Sequence, residues 1–163
     1  MISMSNVCPL DYRYGREEMK AVFSEDSRIQ NEMLVEAALA RAHAAMGTIP
    51  QSAADEITRV ASLDVVSVDR IKEIGKGPRH DLMAMVKAMT EKCQGDAGKY
   101  VHLGATSNDI VDTATALQLK AAMEIVLEDV DNLIMTFAAL AKRERDTLEI
   151  GRTHAQFAIP ITY

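Results

Sequence analysis

The longest regular pattern in the chain begins near residue 107. Leu119, Met123, Val126, Val130, Leu133, Phe137 and Leu140 follow one another at steps of four and three, an unbroken heptad seam. Ile110, Ala114, Leu117, Ala121, Leu127, Ile134 and Ala141 flank it. The apolar face is therefore wider than a two-stranded seam and suits a multi-helix bundle. Neither Gly nor Pro interrupts residues 108–145. Ser107 reads as the N-cap, Asp109 and Asp112 place negative charge early, and Lys142, Arg143 and Arg145 place positive charge late, the signs the helix dipole favours. The pattern predicts one helix, roughly 55 Å long at its usual rise per residue. A rod of that length calls for packing against something larger.

Shorter helices precede it. Residues 16–23 offer one or two turns. Ser24 caps a helix over 25–46 whose inward face is Ile29, Met33, Ala37, Ala40 and Ala44, with Gly47 as its stop. Residues 51–62 turn Ala54, Ile57 and Val60 inward. Ser67 caps a helix reaching Ile74, and residues 80–93 carry the stripe Leu82, Met85, Val86 and Met89. The breaks are Thr48-Ile49-Pro50, Gly75-Lys76-Gly77-Pro78 and a Gly-rich loop over 94–99. Residues 1–14 read as an extended lead-in, and residues 159–163 as the start of a further helix with Pro160 near its first position. No stretch carries a strand signature, and no repeat or linker divides the chain. The expected fold is all-α: a helical domain over 1–105, then the first long helix and the beginning of a bundle domain over 106–163.

Composition agrees with helices and narrows the function. Of 163 residues, 48 % are hydrophobic but only 4 % aromatic, with no Trp, which is unlike a β-sandwich. A net charge of −6 argues against a nucleic-acid-binding surface while leaving room for a local anion pocket. No apolar run is long enough to span a membrane, and the first nine residues lack the basic and apolar regions of a signal peptide. Cys8 and Cys93 lie far apart and read as free thiols in a reducing cytoplasm. His43, His80, His102 and His154 show no metal-ligand spacing, so neither metal nor cofactor is implied.

Four polar clusters fall at breaks or helix ends, where side chains and free N–H groups can meet a ligand. Arg13-Tyr14 sets a guanidinium beside a phenol in an extended segment. Arg79-His80-Asp81 follows the Gly-Pro break, with an oxyanion-binding Arg and a His that ordinarily titrates near neutrality. Thr106-Ser107-Asn108-Asp109 combines hydroxyls with a helix N-terminus, a natural anion site. Gly151-Arg152-Thr153-His154-Ala155-Gln156 is unusually rich in hydrogen-bonding groups for a connector. Taken singly, each admits a plain structural reading: surface Arg, first-turn carboxylate, N-cap, polar loop. His102, beside the third cluster, reads as a structural or surface histidine.

Together the clusters are more specific. His102-Leu103-Gly104-Ala105-Thr106-Ser107-Asn108-Asp109 with Asp112-Thr113-Ala114, followed about forty residues later by Gly151-Arg152-Thr153-His154-Ala155-Gln156 and Pro160, resembles the first two signature regions of the fumarase/aspartase superfamily. Arg13-Tyr14, Arg79-His80-Asp81 and residues 28–40 are most similar to its adenylosuccinate lyase branch. A carboxymuconate-cycloisomerase-like member shares the Gly-Ala-Thr-Ser block but is expected to lack the histidine found here at 154.

The resemblance implies β-elimination of fumarate from two succinylated purine-pathway nucleotides, adenylosuccinate and its imidazole-carboxamide counterpart. It implies His154 as proton donor to the leaving nitrogen, with His80 positioning or assisting it. Arg13 and Tyr14 would hold the phosphate end, and Arg79, His80 and Asp81 would line the site. Thr106 and Ser107 would bind a succinyl carboxylate, with Thr153 and Gln156 as further contacts. The superfamily's third signature, a Ser-Ser-x-Met-Pro-x-Lys-x-Asn loop bearing the basic serine, is absent from this sequence. The chain is accordingly expected to be the N-terminal part of a longer cytoplasmic enzyme and inactive alone. Because the long helix separates the third and fourth clusters, shared sites in a homo-oligomer, a tetramer in this family, are expected. Another lyase of the same superfamily is the alternative within this class, and a different class of reading, a helical interaction module without catalysis, fits the heptad seam equally well.

Overall fold

In the computed structural model, which describes residues 14–76 and 81–162, the chain forms two compact units, one ending at Ala122 and the other beginning at Met123. The elements of the first are α1 (Glu17–Val22), α2 (Glu25–Ala45), α3 (Gln51–Val60), α4 (Val68–Gly75), α5 (Asp81–Lys92), a 3₁₀ turn (Ala97–Tyr100) and the first part of α6 (Ser107–Glu144). The remainder of α6 and a hairpin of β1 (Leu148–Thr153) and β2 (Gln156–Thr162) form the second. Arg13, Arg79, His80, Cys8 and the Gly77-Pro78 break lie outside the described residues.

The helix limits follow from local chemistry. Ser24 Oγ accepts from Ser27 N–H at 3.2 Å, and Ser67 Oγ accepts from Arg70 N–H at 3.3 Å, each satisfying an otherwise unpaired first-turn donor. At the end of α2, Gly47 adopts φ 73°, and the N–H groups of Thr48 and Gly47 return to the carbonyls of His43 and Ala44. That pair of bonds is a Schellman stop, and its left-handed residue favours glycine. α6 begins at Ser107, so Thr106 rather than Ser107 occupies the N-cap position. Asp109 Oδ2 reaches back to accept from Thr106 N–H at 2.9 Å, one half of a capping box.

The core of the first unit packs α2 against α3 and α5. Met33, Ala54, Ile57, Val60 and Met89 have no measurable exposure, and Ile110 of α6 closes the cluster. Gln30 ties the end of α3 to α2, donating to Ala61 O at 3.0 Å and accepting from Leu63 N–H at 3.1 Å. Gln118 Nε2 likewise donates to Val22 O at 2.7 Å, anchoring the early part of α6 beneath α1.

The hairpin corrects the expectation of a second helix near Pro160. β1 and β2 pair antiparallel from Leu148↔Thr162 to Thr153↔Gln156, with an irregularity between Ile150 and Arg152. There Ala158 and Ile159 oppose the single residue Gly151, where an added Cβ would lie 3.0 Å from the Ile159 carbonyl oxygen, a tight approach that favours glycine in the bulge. Phe157, Ile159 and Ile161 alternate along β2, a period of two rather than of helical spacing. Pro160 is tolerated because two strands have only edges. Arg152 stacks over its cross-strand partner Phe157, 4.7 Å from the ring centroid.

Candidate functional site

The third cluster is built on α2. Glu36 is 1 % exposed on a helix face that it shares with Met33, Ala37, Ala40 and the equally buried Glu32. Its Oε2 accepts the backbone N–H of His102 at 3.0 Å, and its Oε1 lies 2.6 Å from His102 Nδ1. Two turns farther along, His43 Nε2 is 2.9 Å from the carbonyl oxygen of Leu103, so that nitrogen carries the proton. The loop is thus tied to one helix face at two successive residues. His102 takes φ 63° and Gly104 φ 73°, and the chain turns into the N-terminus of α6. There the hydroxyls of Thr106 and Ser107 are exposed and make no hydrogen bond among the described residues.

Burial pushes the Glu36 carboxyl above the usual range, and the bonds from His102 pull it back only in part. Elsewhere the charges are conventional. Arg28 pairs with buried Glu32 at 2.7 Å, and Lys72 with Glu25 at 2.6 Å. Glu25, Arg28, Lys72 and Lys76 border an open cleft of about 210 Å³. Burial raises the Cys93 thiol, the opposite of an activated cysteine. Among the described residues no group of His, Cys, Asp and Glu could hold a metal ion. No helix there is long and apolar enough to cross a membrane.

The fourth cluster belongs to the second unit. Thr153 ends β1, Gln156 opens β2, and His154 and Ala155 form the two-residue turn with φ 50° and 60°. Both central residues are left-handed, the signature of a type I′ hairpin turn. All four side chains are exposed, with His154 at the tip.

A family model described as Lyase matches residues 12–163. The chain belongs to this lyase family. Adenylosuccinate lyase of Pyrococcus abyssi is 52 % identical over 96 % of this chain and 35 % of its own length. N-acetyl-S-(2-succino)cysteine lyase of Dickeya dadantii is 40 % identical over 92 % of this chain and 33 % of its own length. The crystal structure of a fumarate lyase from Mesorhizobium sp. BNC1 superposes with a TM-score of 0.82 at 37 % identity, covering 91 % of this chain and 36 % of that one. The lyase-family chain therefore spans about a third of the length of the curated relatives it matches.

Within the first unit, the lyase-family chain sets Thr106 and Ser107 at one helix start. It leaves Tyr14 63 % exposed in a bend before α1 and makes Asp81 the first residue of α5. Within the second, it gathers Thr153, His154 and Gln156 around one turn. The contact between Glu36 and His102 was not foreseen from the sequence. The available signal was a carboxylate at helical spacing inside the stripe Met33, Ala37, Ala40.

Proposed function

We propose that the protein carrying this chain is an adenylosuccinate lyase, removing fumarate by β-elimination from adenylosuccinate and from the succinylated aminoimidazole carboxamide ribonucleotide. The observation that carries this reading is the 52 % identity to the Pyrococcus abyssi enzyme across nearly the whole chain. A base removes the proton beside a succinyl carboxylate, the carbon–nitrogen bond breaks, and an acid protonates the departing nitrogen. His154 is the acid in this reading, and its place at the tip of a narrow turn supports it by exposing the imidazole. Thr106 and Ser107, with unengaged hydroxyls at the α6 N-terminus, suit a succinyl carboxylate. Arg13 and Tyr14 serve the phosphate end. Arg79, His80 and Asp81 line the site, His80 assisting His154, and Thr153 and Gln156 add contacts.

A homo-oligomer belongs to the same proposal. It is supported by the seam of α6, where Leu119, Met123, Leu133 and Phe137 are each more than half exposed. The likeness to the Dickeya dadantii enzyme favours a second reading, in which the bond broken joins the succinyl group to sulfur. Incubating the whole protein with each succinylated compound and measuring fumarate separates the two. His154→Ala should reduce kcat on adenylosuccinate on the order of 10²- to 10⁴-fold with KM little changed. Turnover near wild type would refute the assignment.

A further inference from the structure

We propose that Glu36 is a positioning residue: its carboxylate holds the His102 ring in one tautomer, Nδ1–H inward, and leaves Nε2 as an acceptor offered to a proton-donating group of the substrate. The word substrate rests on the lyase reading above; the tautomer does not.

The two oxygens of Glu36 do different work on one residue. Oε2 takes the backbone N–H of His102 and Oε1 takes ring Nδ1. A carboxylate only accepts, so Nδ1 donates, and the neutral ring then carries its lone pair on Nε2. Nε2 makes no hydrogen bond among the described residues, and the only buried side-chain polar atom without a partner there is His43 Nδ1. The outward nitrogen of His102 is therefore open to solvent or ligand, although the side chain as a whole is only 14 % exposed.

The backbone needs the same restraint. His102 sits at φ 63°, a region costly to a residue with a Cβ. Two bonds from α2 hold it there: Glu36 to the His102 N–H and His43 Nε2–H to the Leu103 carbonyl. Gly104 follows, and a Cβ on it would lie 3.8 Å from His43 Nε2. α2 thus sets the direction of His102 and the path into Thr106 and Ser107 together.

Stability alone does not account for Glu36. Burial penalises its ionised form by more than the His102 bonds return, which is why its carboxyl is raised. Below the ordinary Glu range the protonated group favours the folded chain, and that contribution is lost as pH rises through the raised value. At neutral pH the ionised carboxylate is thus a cost to the core that its two bonds offset only in part. What the carboxylate supplies is orientation, the usual role of a hydrogen-bonded acid behind a functional histidine.

Nitrogen NMR of the imidazoles tests the proposal in the 163-residue chain, with the neutral His102 ring assigned by its loss in His102→Gln. The expected wild-type form is Nδ1–H. Glu36→Gln, whose amide can donate to Nδ1, should shift the ring to Nε2–H with helix content unchanged. In the whole enzyme the same variant should lower kcat at least tenfold while KM stays within about threefold, a split that loosened packing alone does not produce. A wild-type Nε2–H ring overturns the proposal without any variant, and so does Glu36→Gln with wild-type kcat. An Nδ1–H ring in a protein that releases fumarate from neither succinylated compound supports the tautomer and removes the lyase reading instead.

Discussion

Ala155→Gly tests whether the turn bearing His154 is held under backbone strain. His154 and Ala155 sit at φ 50° and 60°, where a residue with a Cβ loses about 1–2 kcal/mol. Glycine removes the share belonging to Ala155. Its greater freedom in the open chain takes back about 0.5–1 kcal/mol. The net gain of about 0.5–1 kcal/mol corresponds to a two- to fivefold larger ratio of closed to open hairpin, at about 1.4 kcal/mol per tenfold. Native-state amide exchange measures that ratio strand by strand. The β1 and β2 amides should exchange two- to fivefold more slowly in Ala155→Gly, with those of α2 and α3 unchanged. Ala155→Val should move in the opposite direction, since a β-branched residue tolerates positive φ poorly. Unaltered or faster exchange in the glycine variant would refute the strain argument.

The remaining predictions concern charge and assembly. Hydrogen bonds from Arg59 and from Gln94 N–H hold the Glu56 carboxyl down to about 2, whereas burial raises Glu36. Carboxyl-carbon NMR should show Glu56 titrating near 2 and Glu36 above the ordinary range; Glu56 titrating near 4.5 would refute the Arg59 pairing. Stability from Glu56 is present above its unfolded value and lost as pH falls toward about 2, while that from Glu36 has the opposite sign. Replacing Leu133 and Phe137 of α6, 51 % and 59 % exposed, with Lys should convert the whole protein to smaller species in sedimentation at unchanged helix content. An unchanged sedimentation coefficient would remove the seam from the assembly interface.

Much of the helical architecture was legible because its punctuation is local. Ser24, Gly47 and Ser67 each act within one turn, and the predicted inward residues of α2, α3 and α5 are buried almost without exception. The hairpin was not legible. Its turn is His-Ala rather than the Asn-Gly or Asp-Gly that announces positive φ, and Pro160 reads equally well as a helix start and as an edge-strand residue. The third cluster was found from its motif, yet its support was not. Glu36 and His102 are 66 residues apart, and nothing in either neighbourhood names the other. Only the fold converts a glutamate on an apolar stripe into half of a pair.

That pairing constrains how this sequence can drift. A change at position 102 takes the ring partner from one oxygen of a buried carboxylate, and a change at position 36 frees a left-handed loop, so neither site can vary alone at neutral cost. Histidine at 43 and the backbone at 103 share no such dependence, because a carbonyl accepts whatever side chain the chain carries there. Across divergent relatives, positions 36 and 102 should therefore change together or not at all, while 103 varies freely. A distant homologue lacking the glutamate should lack the histidine too.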